Sequence, residues 1–310
     1  VGGSKFPRKP VAEGILFQIH RLIEDREFRD DGELNAYLKE ITAKLNRGEE
    51  LPPGKGTPAE KAQELVYDAW EAEEREERIR LARRALEIFP DCADAYVILA
   101  EDEAKTTAEA KDFYAAGVEA GERALGPEFF KKNKGEFWGI LATRGYMRAR
   151  QGLYQCLWDL GEKTEAIRHC QEMLRLNPND NQGVRYDLAA YLLETRRLEE
   201  LERLFRKYRE DTTFWLYARA LFHFLRGEKK KAMRTLGLAL EANPFVPAYL
   251  LGVRQLPDEI PGFYSPGGEE EAVIYVVDHG ACWFGAPEAL VWLAVGAAGK
   301  LAEWAADERP

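Results

Sequence analysis

The sequence predicts an all-α protein in which helix pairs stack lengthwise into a solenoid. Three observations carry that expectation. Between Ala59 and Asn243 only Pro90, Pro127 and Pro178 interrupt the chain, which leaves room for long helical runs. Within that stretch the apolar residues recur at three- and four-residue steps, the period of a helix face rather than of a strand. A phrase also recurs: Glu87-Ile-Phe-Pro90, Arg175-Leu-Asn-Pro178 and Glu241-Ala-Asn-Pro244, with Pro178 and Pro244 66 residues apart, two periods of 33. A fixed period of ~34 residues marks repeated helix–turn–helix units. At 310 residues, 45% hydrophobic and 32% charged, the chain has the balance of a folded protein, and a repeat array extends its core lengthwise as one elongated body.

From the N-terminus, Val11 to Phe28 and Glu33 to Asn46 read as two amphipathic helices separated by Asp30-Asp31-Gly32. The Pro/Gly-rich segment from Gly48 to Pro58 reads as a linker or wrapping loop. Residues 1–57 are thus expected to form a helical extension, with Val1 to Pro10 a polar tail rather than a signal peptide. The repeat array is expected over 58–254. Leu81, Ala82, Ala85, Leu86 and Phe89 make one apolar stripe, Ala166, Ile167, Cys170, Met173, Leu174 and Leu176 a second, and Ala232, Met233, Leu236, Ala239 and Leu240 a third. Each stripe is too narrow to stand alone; stacking removes it from water at about 25 cal/mol per Å².

Pro90 to Pro178 spans 88 residues, about twenty more than two repeats need. The surplus falls in the Gly-rich stretch from Gly117 to Gly145, so an insertion is expected at 126–138. A degenerate repeat follows, carrying Leu188, Tyr191, Leu201 and Phe205, in which Leu201 replaces a small residue and should splay its helix pair. Residues 255–310 read as a three-proline loop from Gln255 to Gly268 and a capping pair, Glu269 to Trp283 and Pro287 to Trp304. Gly285 ends one helix and Pro287 starts the next.

The second helices carry a small residue, a bulky one four later and a proline eight beyond: Ala166, Cys170 and Pro178, then Ala232, Leu236 and Pro244. Gly161 and Gly227 precede each alanine by five. These residues resemble the tetratricopeptide-repeat family. Tyr96, Leu99 and Ala100 match its first-helix pattern, whereas Arg150, Leu153 and Tyr154 do not. The resemblance implies a right-handed α-solenoid whose first helices line a concave face. A closer resemblance rests on Pro90-Asp-Cys-Ala-Asp-Ala-Tyr-Val-Ile-Leu-Ala-Glu101, Asn243-Pro-Phe-Val-Pro-Ala-Tyr-Leu-Leu251, Glu271-Ala-Val-Ile-Tyr275 and Ala289-Leu-Val-Trp-Leu293. Those phrases, collinear over Ala82 to Leu293, resemble the suppressor-of-tumorigenicity-seven family. The resemblance implies a scaffold and brings no catalytic residues. The family's animal members are membrane-anchored; without such anchors, a soluble, bacterial-type member is expected.

Forty-four Lys and Arg against 54 Asp and Glu give a formal charge of −10, which on average repels phosphate backbones and anionic membranes. Nucleic acid is therefore disfavoured as a partner. The longest apolar run, Ala289 to Ala298, is about half the ~20 residues of a bilayer span, so no transmembrane segment is expected. Cys92, Cys156, Cys170 and Cys282 are too scattered for a disulfide framework and read as reduced core residues of a cytoplasmic protein.

No motif carries catalysis or a cofactor. Gly54-Lys55-Gly56-Thr57 has the wrong spacing and residue order for a phosphate loop. His279 and Cys282 share a helical face, but two ligands fall short of a zinc site. His169 and Cys170, being adjacent, point about 100° apart. The run Glu71, Glu73, Glu74, Glu76 and Glu77 is followed at four-residue steps by Arg75, Arg78 and Arg80, the pattern of a solvated face. Lys131, Lys132 and Lys134, and Lys229 to Lys231, are local basic patches.

Projecting the concave positions of the tetratricopeptide pattern gives Asp94, Val97 and Glu101; Arg148, Gln151, Gln155 and Asp159; Gln182 and Arg185; and Phe214, Tyr217 and Leu221. From these, Arg148, Gln151, Gln155, Asp159, Gln182, Arg185 and Tyr217 are the candidate peptide-binding residues. Val97, Glu101, Gln151 and Gln155 stand where the family's clamp for a C-terminal carboxylate needs lysine and asparagines. The expected ligand is instead an extended peptide held by backbone hydrogen bonds and one acidic side chain. The sequence-level expectation is a non-enzymatic scaffold for protein interaction. The alternatives are a regulator touching nucleic acid through the basic patches, or an enzyme or metal protein using the His279 and Cys282 region.

Overall fold

The computed structural model describes residues 11–24, 26–49, 51 and 56–299, and among them every regular element is helical. They fall into two compact units that divide between Asn181 and Gln182. Val1 to Pro10, Gly54, Lys55 and the last residues of the expected closing helix lie outside the described residues.

The first unit opens with α1 (Val11–Glu24) and α2 (Asp31–Asn46). The Asp30 side chain accepts a hydrogen bond from the Glu33 amide and starts α2, satisfying one of the amides that a helix N-terminus leaves open. Thr57, from the glycine-rich segment weighed as a phosphate loop, caps α3 (Pro58–Glu71) in a reciprocal box with Glu60. α3 packs against α4 (Arg75–Ile88). Small residues bring the two close: Ala62, Val66 and Ala69 meet Leu81, Ala82 and Ala85 in one core with Cys92, Ala95 and Ile98.

Helix α5 (Ala93–Ile98) runs into a π-helical turn at Leu99–Glu103 before α6 (Thr107–Leu125). The glycine-rich stretch read from sequence as the surplus is not loose. Gly117 and Gly121 sit inside α6 and Gly145 and Gly152 inside α8 (Arg144–Asp159). A Cβ on Gly152 would run into the Tyr114 ring, so α6 and α8 approach closely because these positions lack side chains. The added structure is a short α7 (Pro127–Lys132) and two 3₁₀ turns, Phe137–Gly139 and Leu141–Thr143. Fully buried Phe137 anchors it against Phe129, Phe130 and Tyr146. α9 (Lys163–Leu176) closes the unit against α8, entered through Gly161 at φ +82°.

The second unit holds α10 (Val184–Glu194), α11 (Leu198–Lys207), α12 (Thr213–Leu225) and α13 (Lys229–Ala242). A short α14 (Val246–Leu250) follows, then α15 (Glu269–Phe284) and α16 (Pro287–Gly296). α12 packs on α13 and α10 on α11 and α15. Leu201, expected to splay its pair, is fully buried. Trp215, Tyr217, Tyr275 and Trp283 are also fully buried, and the Trp283 indole donates to the Tyr275 hydroxyl at 2.9 Å. Between α14 and α15 the proline-rich segment carries no helix, as its composition predicts. Its far end is tied down by Glu271, whose Oε2 accepts from the Gly267 amide at 2.8 Å, Thr213 Oγ1 at 2.7 Å and Asn243 Nδ2 at 3.0 Å.

Candidate functional site

In the first unit, polar side chains from four of the packed helices meet in one cluster. Gln63, Tyr67 and Trp70 lie on one face of α3, four and three residues apart; Arg144 and Arg148 lie one turn apart on α8. Asp94 is the second residue of α5, and α1 supplies Glu13. Arg148 joins these groups. Its Nε and Nη2 donate to the two carboxylate oxygens of Asp94 at 2.7 and 2.6 Å. Its Nη1 and Nη2 donate to the two oxygens of Glu13 at 3.2 and 2.9 Å. The guanidinium lies over the Trp70 ring, 4.8 Å from its centre, adding a cation–π contact.

Glu13 has two further donors. Arg144 Nη1 reaches its Oε2 at 2.9 Å and the Tyr67 hydroxyl its Oε1 at 3.2 Å. Asp94 also accepts from Gln63 Nε2 at 3.0 Å. A Cβ at Gly145 would lie 2.9 Å from the Asp94 carboxyl carbon, so the glycine is what lets this carboxylate lie against α8. Asp94 is 2% exposed, Glu13 7% and Arg148 19%. Two carboxylates and two guanidiniums leave the cluster formally neutral, and each carboxylate is paired by charge-assisted hydrogen bonds.

The proton affinities follow from this packing. Burial alone pushes the Glu13 carboxyl up, but Arg148 and Arg144 together hold it below its ordinary value. Burial works against the Arg148 charge, and Asp94 and Glu13 more than restore it. Burial, then the Glu13 and Asp94 charges, raises the Tyr67 phenol, so its hydroxyl remains a donor. Burial and Asp94 push the nearby Cys92 thiol up to about 12, which removes it from nucleophilic chemistry at neutral pH. The arrangement holds a carboxylate.

The candidate peptide-binding residues divide between the two units. Arg148, Gln151, Gln155 and Asp159 lie on α8; Arg185 and Tyr217 lie on α10 and α12, and Gln182 just precedes α10. Arg148 belongs to the cluster. Gln151 is 6% exposed and Tyr217 fully buried, its hydroxyl donating to the Asn243 carbonyl at 2.7 Å. Those two side chains belong to the interior and present nothing to a partner, as do Val97 and Leu221 from the same projection. Gln155 is half-buried and Asp159 exposed. Arg185 Nε donates to Glu210 at 2.5 Å, and its guanidinium lies 4.4 Å from the Tyr186 ring centre.

His279 is buried between Tyr275 and Phe214, and Cys282 donates to the Ala190 carbonyl. Among the described residues no group of three His, Cys, Asp or Glu side chains is placed to hold a metal ion, and no helix is long and apolar enough to cross a membrane. Lys131, Lys132 and Lys134 are exposed. In the acidic run the arginines pair differently from the four-residue expectation. Arg78 makes a two-pronged contact with Asp102, and Arg80 pairs with Glu77 three residues back.

Sequence reasoning projected Arg148 and Asp94 onto the concave face without linking them, and gave no role to Glu13, Gln63, Tyr67, Trp70 or Arg144. Helical spacing on α3 and α8 would have linked some of them. Nothing local links Glu13 to an arginine 135 residues later.

The family described as ST7 protein matches residues 55–302. The chain belongs to that family. A suppressor of tumorigenicity 7 protein-like from Gallus gallus is 27% identical over 251 residues, covering 71% of this chain and 44% of the relative. A Protein ST7 homolog from Caenorhabditis elegans is 27% identical over 258 residues, covering 71% and 48%. The human suppressor of tumorigenicity 7 protein-like is 26% identical over 246 residues, covering 71% and 42%. The chain thus spans less than half the length of these relatives. They are animal proteins, and the expectation of a bacterial-type member finds no support in them. Gln63, Tyr67, Trp70, Asp94, Arg144 and Arg148 all lie within the ST7 match, whereas Glu13 lies before it.

Proposed function

We propose that this ST7-family chain is a non-enzymatic interaction module, built of tetratricopeptide-like helix pairs in a right-handed solenoid, that holds a segment of a partner protein in the first unit. One observation carries the reading: α1, which is outside the helix pairs, is gripped by side chains that α3 and α8 direct at it. A face that presents two guanidiniums and a phenol to an incoming helix has the amphipathic chemistry of a helix-in-groove site. The helix pairing, the alanine- and glycine-rich contacts and the positive-φ glycines at 161 and 227 support the repeat reading. Fold alone names no target.

The test is to select binders to the full chain from a random peptide library and map one of them by amide hydrogen exchange. Added protection on α3 and α8 is the expected result. Protection confined to other helices, or an exhaustive selection without binders, refutes the assignment.

A further inference from the structure

The α1 contact specifies more than a generic groove. Glu13, Phe17 and Arg21 are spaced four residues apart and so fall on one helical face. Each meets a complementary group. Glu13 sits on Arg144 and Arg148; the Phe17 ring lies 5.3 Å from the Tyr67 ring. Arg21, 4% exposed on its side chain, pairs with Glu64 and lies 3.8 Å from Glu60. The receiving face therefore reads cation, aromatic, anion along α3 and α8. Gly14 packs on the same tyrosine, where a Cβ would be in ordinary contact at 3.4 Å.

Charge accounting shows what the face requires. With Glu13 removed, Asp94 still neutralises Arg148, while the Arg144 charge keeps only a carbonyl and an indole, the Trp138 oxygen at 3.1 Å and its ring at 5.3 Å. The partly buried seat is then left with a net positive charge, and a carboxylate matches both its sign and its forked donor geometry. Away from this stripe α1 buries Leu22 and leaves Ile15 and Leu16 exposed, so the acid–aromatic–base stripe supplies its polar anchoring.

We infer that Arg144, Arg148, Tyr67 and the Glu60 and Glu64 pair form a recognition site for a partner helix carrying an acidic residue, an aromatic residue four later and a basic residue eight later, and that α1 occupies this site as an internal competitor. The inference rests on the proposed groove function and adds the ligand's chemistry and its control. The receiving side chains lie within the ST7 match and the α1 helix lies outside it, so the site and its occupant are separate parts of the chain.

The test uses the full chain and a labelled peptide of residues 11–24, Val-Ala-Glu-Gly-Ile-Leu-Phe-Gln-Ile-His-Arg-Leu-Ile-Glu, together with the same peptide carrying Gln in place of its third residue. Affinity is read by fluorescence anisotropy on wild type and on Glu13→Lys, whose folding is checked by circular dichroism. Glu13→Gln serves if the lysine variant does not fold. The glutamate peptide should bind Glu13→Lys about tenfold or more tightly than wild type, a shift of about 1.4 kcal/mol, and the glutamine peptide should lose at least that factor. Arg144→Gln added to Glu13→Lys should remove the preference for glutamate. Equal binding of the glutamate peptide to wild type and Glu13→Lys overturns the competition. Equal binding of both peptides to Glu13→Lys overturns the carboxylate seat while leaving the groove. If neither peptide binds the folded variant, the site and the groove reading both fail.

Discussion

Replacing Arg148 with glutamine removes the cation between two buried carboxylates while keeping much of the side-chain volume. Asp94, 2% exposed, would keep only Gln63, and Glu13 would keep Arg144 and Tyr67. An uncompensated buried charge of this kind costs about 3–5 kcal/mol. Asp94→Asn should cost less, about 1–3 kcal/mol, because Arg148 retains Glu13. The two changes share one interaction, so the double variant should be more stable than the sum of the single losses predicts, by about 1–3 kcal/mol. Urea unfolding followed by near-ultraviolet circular dichroism gives the global transition. Trp70, whose ring lies under the guanidinium, offers a local fluorescence signal for the first unit. A loss below about 1 kcal/mol for Arg148→Gln, or strict additivity in the cycle, would mean that the cluster is solvated and that its hydrogen bonds carry little weight.

Four further outcomes follow from the packing. Because the Glu13 carboxyl is held below its ordinary value of 4.5, its contribution is present above that value and lost as pH falls through the lowered one; a fall in the amide-exchange protection factors of α1 at acid pH, abolished in Glu13→Gln, is the measurement. Burial first, then Arg150 and Arg168, lowers the His169 imidazole to about 4. Its neutral form therefore contributes above about 6.5, and up to about 3 kcal/mol is lost as pH falls from there towards 4; His169→Gln should flatten unfolding free energy over that window. Gly152→Ala should cost about 1–3 kcal/mol in denaturant melts, since the new methyl meets the Tyr114 ring. Asn243→Ala removes donors to Glu271 and the Gly268 carbonyl and the acceptor for the Phe245 amide. It should cost about 2–3 kcal/mol and speed exchange at the start of α15.

Much of the helix order was readable because its signals are local. Proline phrases closed α4, α9 and α13 near Phe89, Asn177 and Asn243, and Gly161 and Gly227 have the positive φ their turns need. Some positions of the groove projection are buried. It assumes that every first helix presents the same phase, yet the π turn at Leu99–Glu103 and the two 3₁₀ turns before α8 break the regular rotation. One residue gained or lost turns a helix face by about 100°. Arg148 lies in the polar cluster while Gln151, on the same helix, is buried, and in the second unit the projected Tyr217 is buried as well. Glu13 lay beyond such reasoning altogether. Read locally it is an ordinary acid in the first turn of a helix, and its partners become visible only when α3 and α8 are packed.

Two buried carboxylates show why the charge of their partners matters. Glu271, 3% exposed, is satisfied by a hydroxyl, an amide side chain and a backbone amide from residues 213, 243 and 267. These neutral donors would lose their acceptor on opening but leave no charge behind. Such a carboxylate pins a loop. Glu13 is held instead by two guanidiniums, one of which keeps Asp94 as a second partner. Its departure leaves a cationic seat already shaped by Gly145 and Trp70. A seat of that kind favours exchange of one carboxylate for another over emptiness, because the cost of an unpaired buried charge is avoided by either occupant. On this argument Glu271 belongs to the stability of its unit, and Glu13 occupies the seat where the proposed partner carboxylate would bind.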